Sequence, residues 1–137
     1  MNKLPQERLS IAVASQACAQ CAYDEALAFT RQRKAFGKAV IDFQNTRFVL
    51  ADLKTQLQVG WAHLDWALAR HLREELTPEE GAAAKLWHTD LQWEVMDKCL
   101  QLFGGAPKPA ASVPSAVAGN DDPSGKPVNA IHASAIG

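Results

Sequence analysis

Thr77-Pro78-Glu79-Glu80 spells out the start of a helix in four residues. The threonine hydroxyl can accept a backbone N–H, proline fits the first helical position, and Glu80 can reach back to Thr77 to close a capping box. Downstream, Ala84, Trp87, Leu91, Val95, Cys99 and Leu102 recur at three- and four-residue steps and predict an apolar stripe. Gly104 and Gly105 then end that helix. Upstream, Val49, Leu53, Leu57, Trp61, Leu64, Leu68 and Leu72 predict a second long helix, from about Gln44 to Glu75. The connection between the two is short, which favours antiparallel neighbours.

Further upstream, Pro5 can open a first helix running to about Lys34. Leu9, Ala12, Val13, Ala17, Gln20 and Asp24 trace one side of it, and Ala14, Ala19, Ala22 and Ala26 keep the rest thin enough for close packing. Gly37 reads as the left-handed C-terminal cap, and Lys38 to Phe43 as a connector. The reading is all-α: an up-down bundle of three long antiparallel helices over residues 4–105. A three-helix arrangement leaves one bundle position open. Residues 106–137 differ in kind. They carry Pro107, Pro109, Pro114, Pro123 and Pro127, have no aromatic residue and follow no period, so they read as a disordered Ala/Pro-rich tail.

Composition excludes several function classes. With 137 residues the chain is the size of one domain, and its net charge of -1 gives no broad basic field for nucleic acid. No apolar run approaches the roughly 20 residues of a membrane helix. The start, Met1 to Pro5, has no signal-peptide core, so the expected compartment is the cytoplasm. Cys18 and Cys21 sit mid-helix without a second pair, which argues against zinc, and no metal site is expected. His63 and His71 read as surface or interface histidines. Trp61, Trp66, Trp87 and Trp93 read as core or interface residues rather than base-stacking platforms.

Three short stretches go beyond a helical bundle. Gln6-Glu7-Arg8-Leu9 puts an acid in a helix's first turn, where the dipole favours negative charge. Arg31-Gln32-Arg33-Lys34-Ala35-Phe36-Gly37-Lys38, followed by Phe43-Gln44, reads either as a basic helix end or as an anion grip in which Arg33 offers a planar fork. Gln101-Leu102-Phe103-Gly104-Gly105 either ends a helix or lets backbone approach a ligand closely.

In this order and helical context, the three stretches resemble the C-terminal domain of acyl-CoA dehydrogenases, most closely the long-chain type. The resemblance runs from Leu4 to Gly105. It implies a flavoprotein that carries FAD and removes hydrogens from the α and β carbons of an acyl-CoA, as in fatty-acid β-oxidation. It implies that Arg33, Phe36 and Gln44 contact FAD. It further implies that Gln101, Leu102, Phe103, Gly104 and Gly105 line the adenosine and pyrophosphate portion of a neighbouring subunit's FAD. Glu7 stands where long-chain and isovaleryl-type members place the catalytic base, and Arg8 where they have a supporting arginine. The resemblance also implies a homo-oligomer, or pairing with dehydrogenase subunits.

The family's N-terminal and middle domains have no counterpart in this sequence. After Gly105, Ala106-Pro107-Lys108-Pro109 replaces the expected glycine-aromatic turn and further helices. The expectation is therefore a truncated enzyme, incompetent on its own. The alternatives are a helical interaction module and an inactive remnant.

Overall fold

The computed structural model describes residues 3–104. Three helices carry the fold: α1 over Leu4–Gln32, α2 over Gln44–Leu72 and α3 over Pro78–Leu102. Gly105 and the 106–137 tail lie outside the described residues. The capping box at α3 forms as the sequence predicts. Thr77 N–H donates to Glu80 Oε2 at 2.9 Å, and Glu80 N–H donates to Thr77 Oγ1 at 3.2 Å. The Thr77 N–H, and behind it the Arg70 guanidinium, hold the Glu80 carboxyl below its ordinary pKa.

The corner before it is a Schellman turn. Glu75 N–H donates to Arg70 O at 2.9 Å and Glu74 N–H to His71 O at 3.0 Å. Glu74 takes the left-handed position at φ 60°, which glycine normally fills. So α2 ends at Leu72, short of the expected Glu75.

Paired contacts fix the directions. Pro5 meets Gly81, Gln16 meets His88 and Phe29 meets Phe103, so α1 and α3 run parallel. Asp52 meets Lys98, Gln56 meets Glu94 and Arg70 meets Glu80, so α2 runs antiparallel to α3. This is the expected up-down-up order.

The faces that meet differ from the expected stripes. On α2 the buried line is Leu50, Leu53, Leu57, Gly60, Leu64 and Ala67, alternating steps of three and four. That average of 3.5 keeps a seam facing its partners. Steps of four drift by about 40° each around a 3.6-residue helix. Hence Trp61, Leu68 and Leu72, reached by such steps, are exposed. On α1 the line runs through Leu9, Ala12, Gln16, Ala19, Tyr23, Ala26 and Thr30, while Val13 is exposed. On α3 His88 takes the core place expected of Trp87. None of the four tryptophans is buried.

The core has two apolar halves. One holds Ala19, Tyr23, Ala26, Leu50, Leu53, Leu57, Leu91, Val95 and Cys99; the other holds Leu9, Ala12, Leu64, Ala67 and Ala84. Between them lies a polar layer. Gln16 Nε2 donates to Leu57 O at 2.9 Å, and Gln16 Oε1 lies 2.9 Å from His88 Nδ1. Gly60 makes room for that layer: a Cβ there would stand 2.3 Å from Gln16 Oε1. Burial pushes the Cys99 thiol up to about 11, so it packs as a small apolar group.

Two substitutions test this account. Gly60→Ala should lower stability by roughly 1–3 kcal/mol through overpacking and displacement of Gln16. Glu74→Gly should raise it by about 0.5–1 kcal/mol by relieving the left-handed residue. Urea midpoints with unchanged m-values measure both. A Gly60→Ala chain as stable as its parent would refute the packed glutamine.

Candidate functional site

The chain does not leave α1 as expected. The helix stops at Gln32, with Arg33 already extended at φ -71°, ψ 127°. A two-stranded hairpin follows, β1 over Lys34–Ala35 and β2 over Lys38–Ala39, in register Lys34↔Ala39 and Ala35↔Lys38. Its loop is Phe36-Gly37, at φ 51° and 82°. Positive φ at both central residues is what a type I′ hairpin turn requires. Gly37 is therefore a hairpin residue rather than a helix cap. Val40 N–H closes the base on Arg33 O at 2.8 Å, and a 3-10 turn over Val40–Asp42 leads into α2.

Phe36 is strained and 98% exposed. A bulky residue at positive φ costs on the order of 1–2 kcal/mol, and nothing in the fold's packing requires an aromatic there. Its ring lies edge-on to Phe43, centroids 6.4 Å apart, and Lys38 Nζ sits 4.2 Å from the Phe43 centroid. The exposed Arg33 guanidinium has no hydrogen-bond or ion-pair partner among the described residues. From Arg31 to Arg47 the cations are Arg31, Arg33, Lys34, Lys38 and Arg47, and the only carboxylate is Asp42. The connector and the first turn of α2 therefore favour an anion.

Gln44 opens α2 and lines a surface groove of about 570 Å³ with Asp42, Arg47, Phe48 and Ala51. The N-cap residue Phe43 offers no side-chain acceptor, so the first-turn N–H groups stay available to a ligand. Arg47 was not singled out from sequence. Its spacing of three from Gln44, which puts both on one helix face, was the available signal.

The last stretch lies at the same end, tied there by Phe29 and Phe103, whose ring centroids are 4.6 Å apart. Leu102 and Phe103 pack against the core. Gln101 and Gly104 remain exposed, Gly104 at φ 61° with open space around it. Gln101 Nε2 donates to Asp97 Oδ2 at 2.9 Å. The structure thus brings Arg33, Phe36 and Gln44 to the same end as Gln101, Leu102, Phe103 and Gly104.

Glu7 and Arg8 are at the other end. Along α1 they stand about 39 Å from Arg33, at about 1.5 Å per residue. Glu7 is exposed, and Arg8 Nη1 donates to Pro78 O at 3.0 Å, joining the start of α1 to the start of α3. Among the described residues no cluster of His, Cys, Asp and Glu can hold a metal, and no helix is long and apolar enough to cross a membrane.

Comparison with known proteins agrees with this architecture. Residues 1–107 match the family model for the acyl-CoA dehydrogenase C-terminal domain. The long-chain specific acyl-CoA dehydrogenase of rat mitochondria (Rattus norvegicus) is 40% identical over 105 residues, 77% of this chain and 24% of that protein. A probable acyl-CoA dehydrogenase of Mycobacterium tuberculosis is 37% identical over 106 residues, 75% of this chain and 27% of that protein. The crystal structure of an acyl-CoA dehydrogenase from Geobacillus kaustophilus superposes with a TM-score of 0.74 at 35% identity, covering 77% of this chain and 28% of that one. Butyryl-CoA dehydrogenase from Megasphaera elsdenii gives a TM-score of 0.72 at 28% identity, covering 74% and 27%. The chain spans about a quarter of the length of the curated relatives it matches. On the matching residues, their order and their fold, the chain belongs to the acyl-CoA dehydrogenase family and carries its C-terminal helical domain.

Proposed function

We propose that this bundle serves an FAD-dependent α,β-dehydrogenation of acyl-CoA, gripping a flavin dinucleotide at its hairpin end and presenting a base at the other. The observation that carries the reading is the hairpin itself: a strained, exposed Phe36 three residues after an exposed Arg33 that has no side-chain partner among the described residues. The donor set suits a pyrophosphate. Arg33 provides a bidentate fork, Gln44 and the uncapped start of α2 add neutral donors, and Gly104 offers backbone without a side chain in the way. Phe36 supplies an apolar face beside the dinucleotide. Leu102 and Phe103 act by holding Gln101 and Gly104 in place.

Glu7 takes the α proton onto a carboxylate oxygen, which requires hydrogen-bond reach to that carbon's hydrogen. The electron pair left behind forms the double bond as the β hydrogen departs. Flavin, when bound, supplies the acceptor for that hydride. Arg8 positions Glu7 by fastening its helix to Pro78. The separation of about 39 Å along α1 exceeds an extended flavin dinucleotide, so the two ends of one chain serve two different cofactors. This supports an oligomer in which each FAD is completed by a neighbour.

A second observation favours an interaction role as well. Leu86, Trp93 and Leu100 recur every seven residues on the outer side of α3 and are 65%, 75% and 69% exposed. Such a row on a helix marks a surface that packs against a further chain or domain. We place the chain in a reducing compartment, the cytoplasm by default, where its exposed Cys18 and Cys21 stay thiols.

Titration of the full chain with FAD, followed by flavin fluorescence, tests the grip. Arg33→Ala should weaken binding about 10- to 100-fold, the range for a charged hydrogen-bonded contact, while Arg33→Lys should recover part of it. Equal affinity for parent and Arg33→Ala would end the assignment. Phe36→Gly should move two properties in opposite directions: the fold gains stability as the positive φ is relieved, and FAD binding weakens. Sedimentation at several concentrations tests the interaction surface, and a monomer throughout would count against it.

A further inference from the structure

The polar layer in the core is a directed chain of hydrogen bonds. Gln16 spends its amide N–H on Leu57 O, so its Oε1 faces His88 Nδ1 as an acceptor. His88 Nδ1 must therefore carry a hydrogen. In the neutral ring that leaves His88 Nε2 as an acceptor, and it lies 3.1 Å from His63 Nδ1. His63 Nδ1 must then be the donor. The tautomers of both rings follow from one glutamine. His63 Nε2 is the remaining lone pair, with no partner among the described residues.

The two rings stack, centroids 5.3 Å apart, and His63 also stacks on Trp66 at 5.7 Å and meets Trp87 edge-on. His63 is half-buried, whereas His88 is fully buried. The charged groups around the pair are few. From α1 comes the neutral Gln16, and α2 contributes His63 itself and Arg70, whose guanidinium lies 5.4 Å from the Trp66 ring. From α3, Lys85 and Asp90 flank His88 in sequence and are exposed. No carboxylate bonds to either ring among the described residues.

We infer that His63 and His88 act as a one-proton pair: the first proton enters with the bundle closed, and a second opens the seam between α2 and α3. A proton on the outward His63 Nε2 would leave every bond of the chain intact. A second proton would sit on His88 Nε2 and set two N–H groups against each other across 3.1 Å, with the new charge inside the core. Burial, and then the neighbouring His63, push His88 down to about 4.

The sign follows from proton counting. In the unfolded chain His88 titrates near the ordinary 6.5, whereas in the folded chain burial keeps it neutral down to about 4, so the folded state binds fewer protons between those two values. Stability is therefore complete above 6.5 and falls as pH drops toward about 4. Each pH unit in that window should lower the folded-to-unfolded ratio by up to tenfold. Glu80 and Glu94, both held below their ordinary 4.5, add their losses only lower down, so the pair is read between about pH 6.5 and 5.

Urea unfolding of the full chain across that range, repeated on His88→Gln, tests the device. The parent should show the one-proton slope and His88→Gln should lose it, because a glutamine can keep both neighbours bonded without titrating. An unchanged slope in His88→Gln overturns the proposal. Should that variant not fold, nitrogen-15 NMR of the parent imidazoles decides. One ring should titrate in the native state while the other keeps a neutral Nδ1–H tautomer. Two rings taking up protons independently in the folded chain overturn the pair.

Discussion

Gln16 occupies the space that a side chain at position 60 would need, and the rest of the bundle is arranged around that fit. Its amide bonds to the α2 backbone and to His88 of α3, so one residue of α1 fixes where both neighbours lie along it. The leucine halves on either side supply most of the burial, but apolar contacts are non-directional and tolerate sliding. A polar layer does not, because a half-turn slip would strand buried donors and acceptors. In the described residues no buried side-chain nitrogen or oxygen lacks a partner, so the layer is complete as it stands.

Much of the architecture was legible in the sequence. The capping box, the three helices and their alternating directions follow from Thr77 to Glu80 and from local periodicity. The faces were less legible, for a specific reason. The true seams run through Gln16, Gly60 and His88, residues that a search for apolar stripes passes over. Leucines and tryptophans at four-residue steps then drew the reading onto the solvent side, where Trp61, Leu68 and Leu72 lie. The value of Gln16 and His88 depends on partners 41 and 72 positions away, a relation that no local window contains.

The candidate site shows the same division. Arg33, Phe36, Gln44 and the stretch from Gln101 were found as short motifs, and the fold gathers the described ones at one end. The hairpin was missed because Ala35-Phe36-Gly37-Lys38 has little strand character, and Gly37 suits a helix cap as well as a turn. A phenylalanine at positive φ is not something sequence rules propose. The strain there is a local cost borne by a well-packed bundle, which is where strain tends to mark function.

The length of α1 has a consequence of its own. The helix is an unbroken rod of 29 residues joining Glu7 to the hairpin. Each residue inserted or deleted would turn one end against the other by about 100° and shift it by about 1.5 Å. Only a change of about seven residues, close to two turns, would restore the facing, and it would then displace the rod by about 10 Å. Substitutions can drift freely along its exposed side, but its length cannot drift by single steps. In this family, α1 should tolerate changes of letter far better than changes of count.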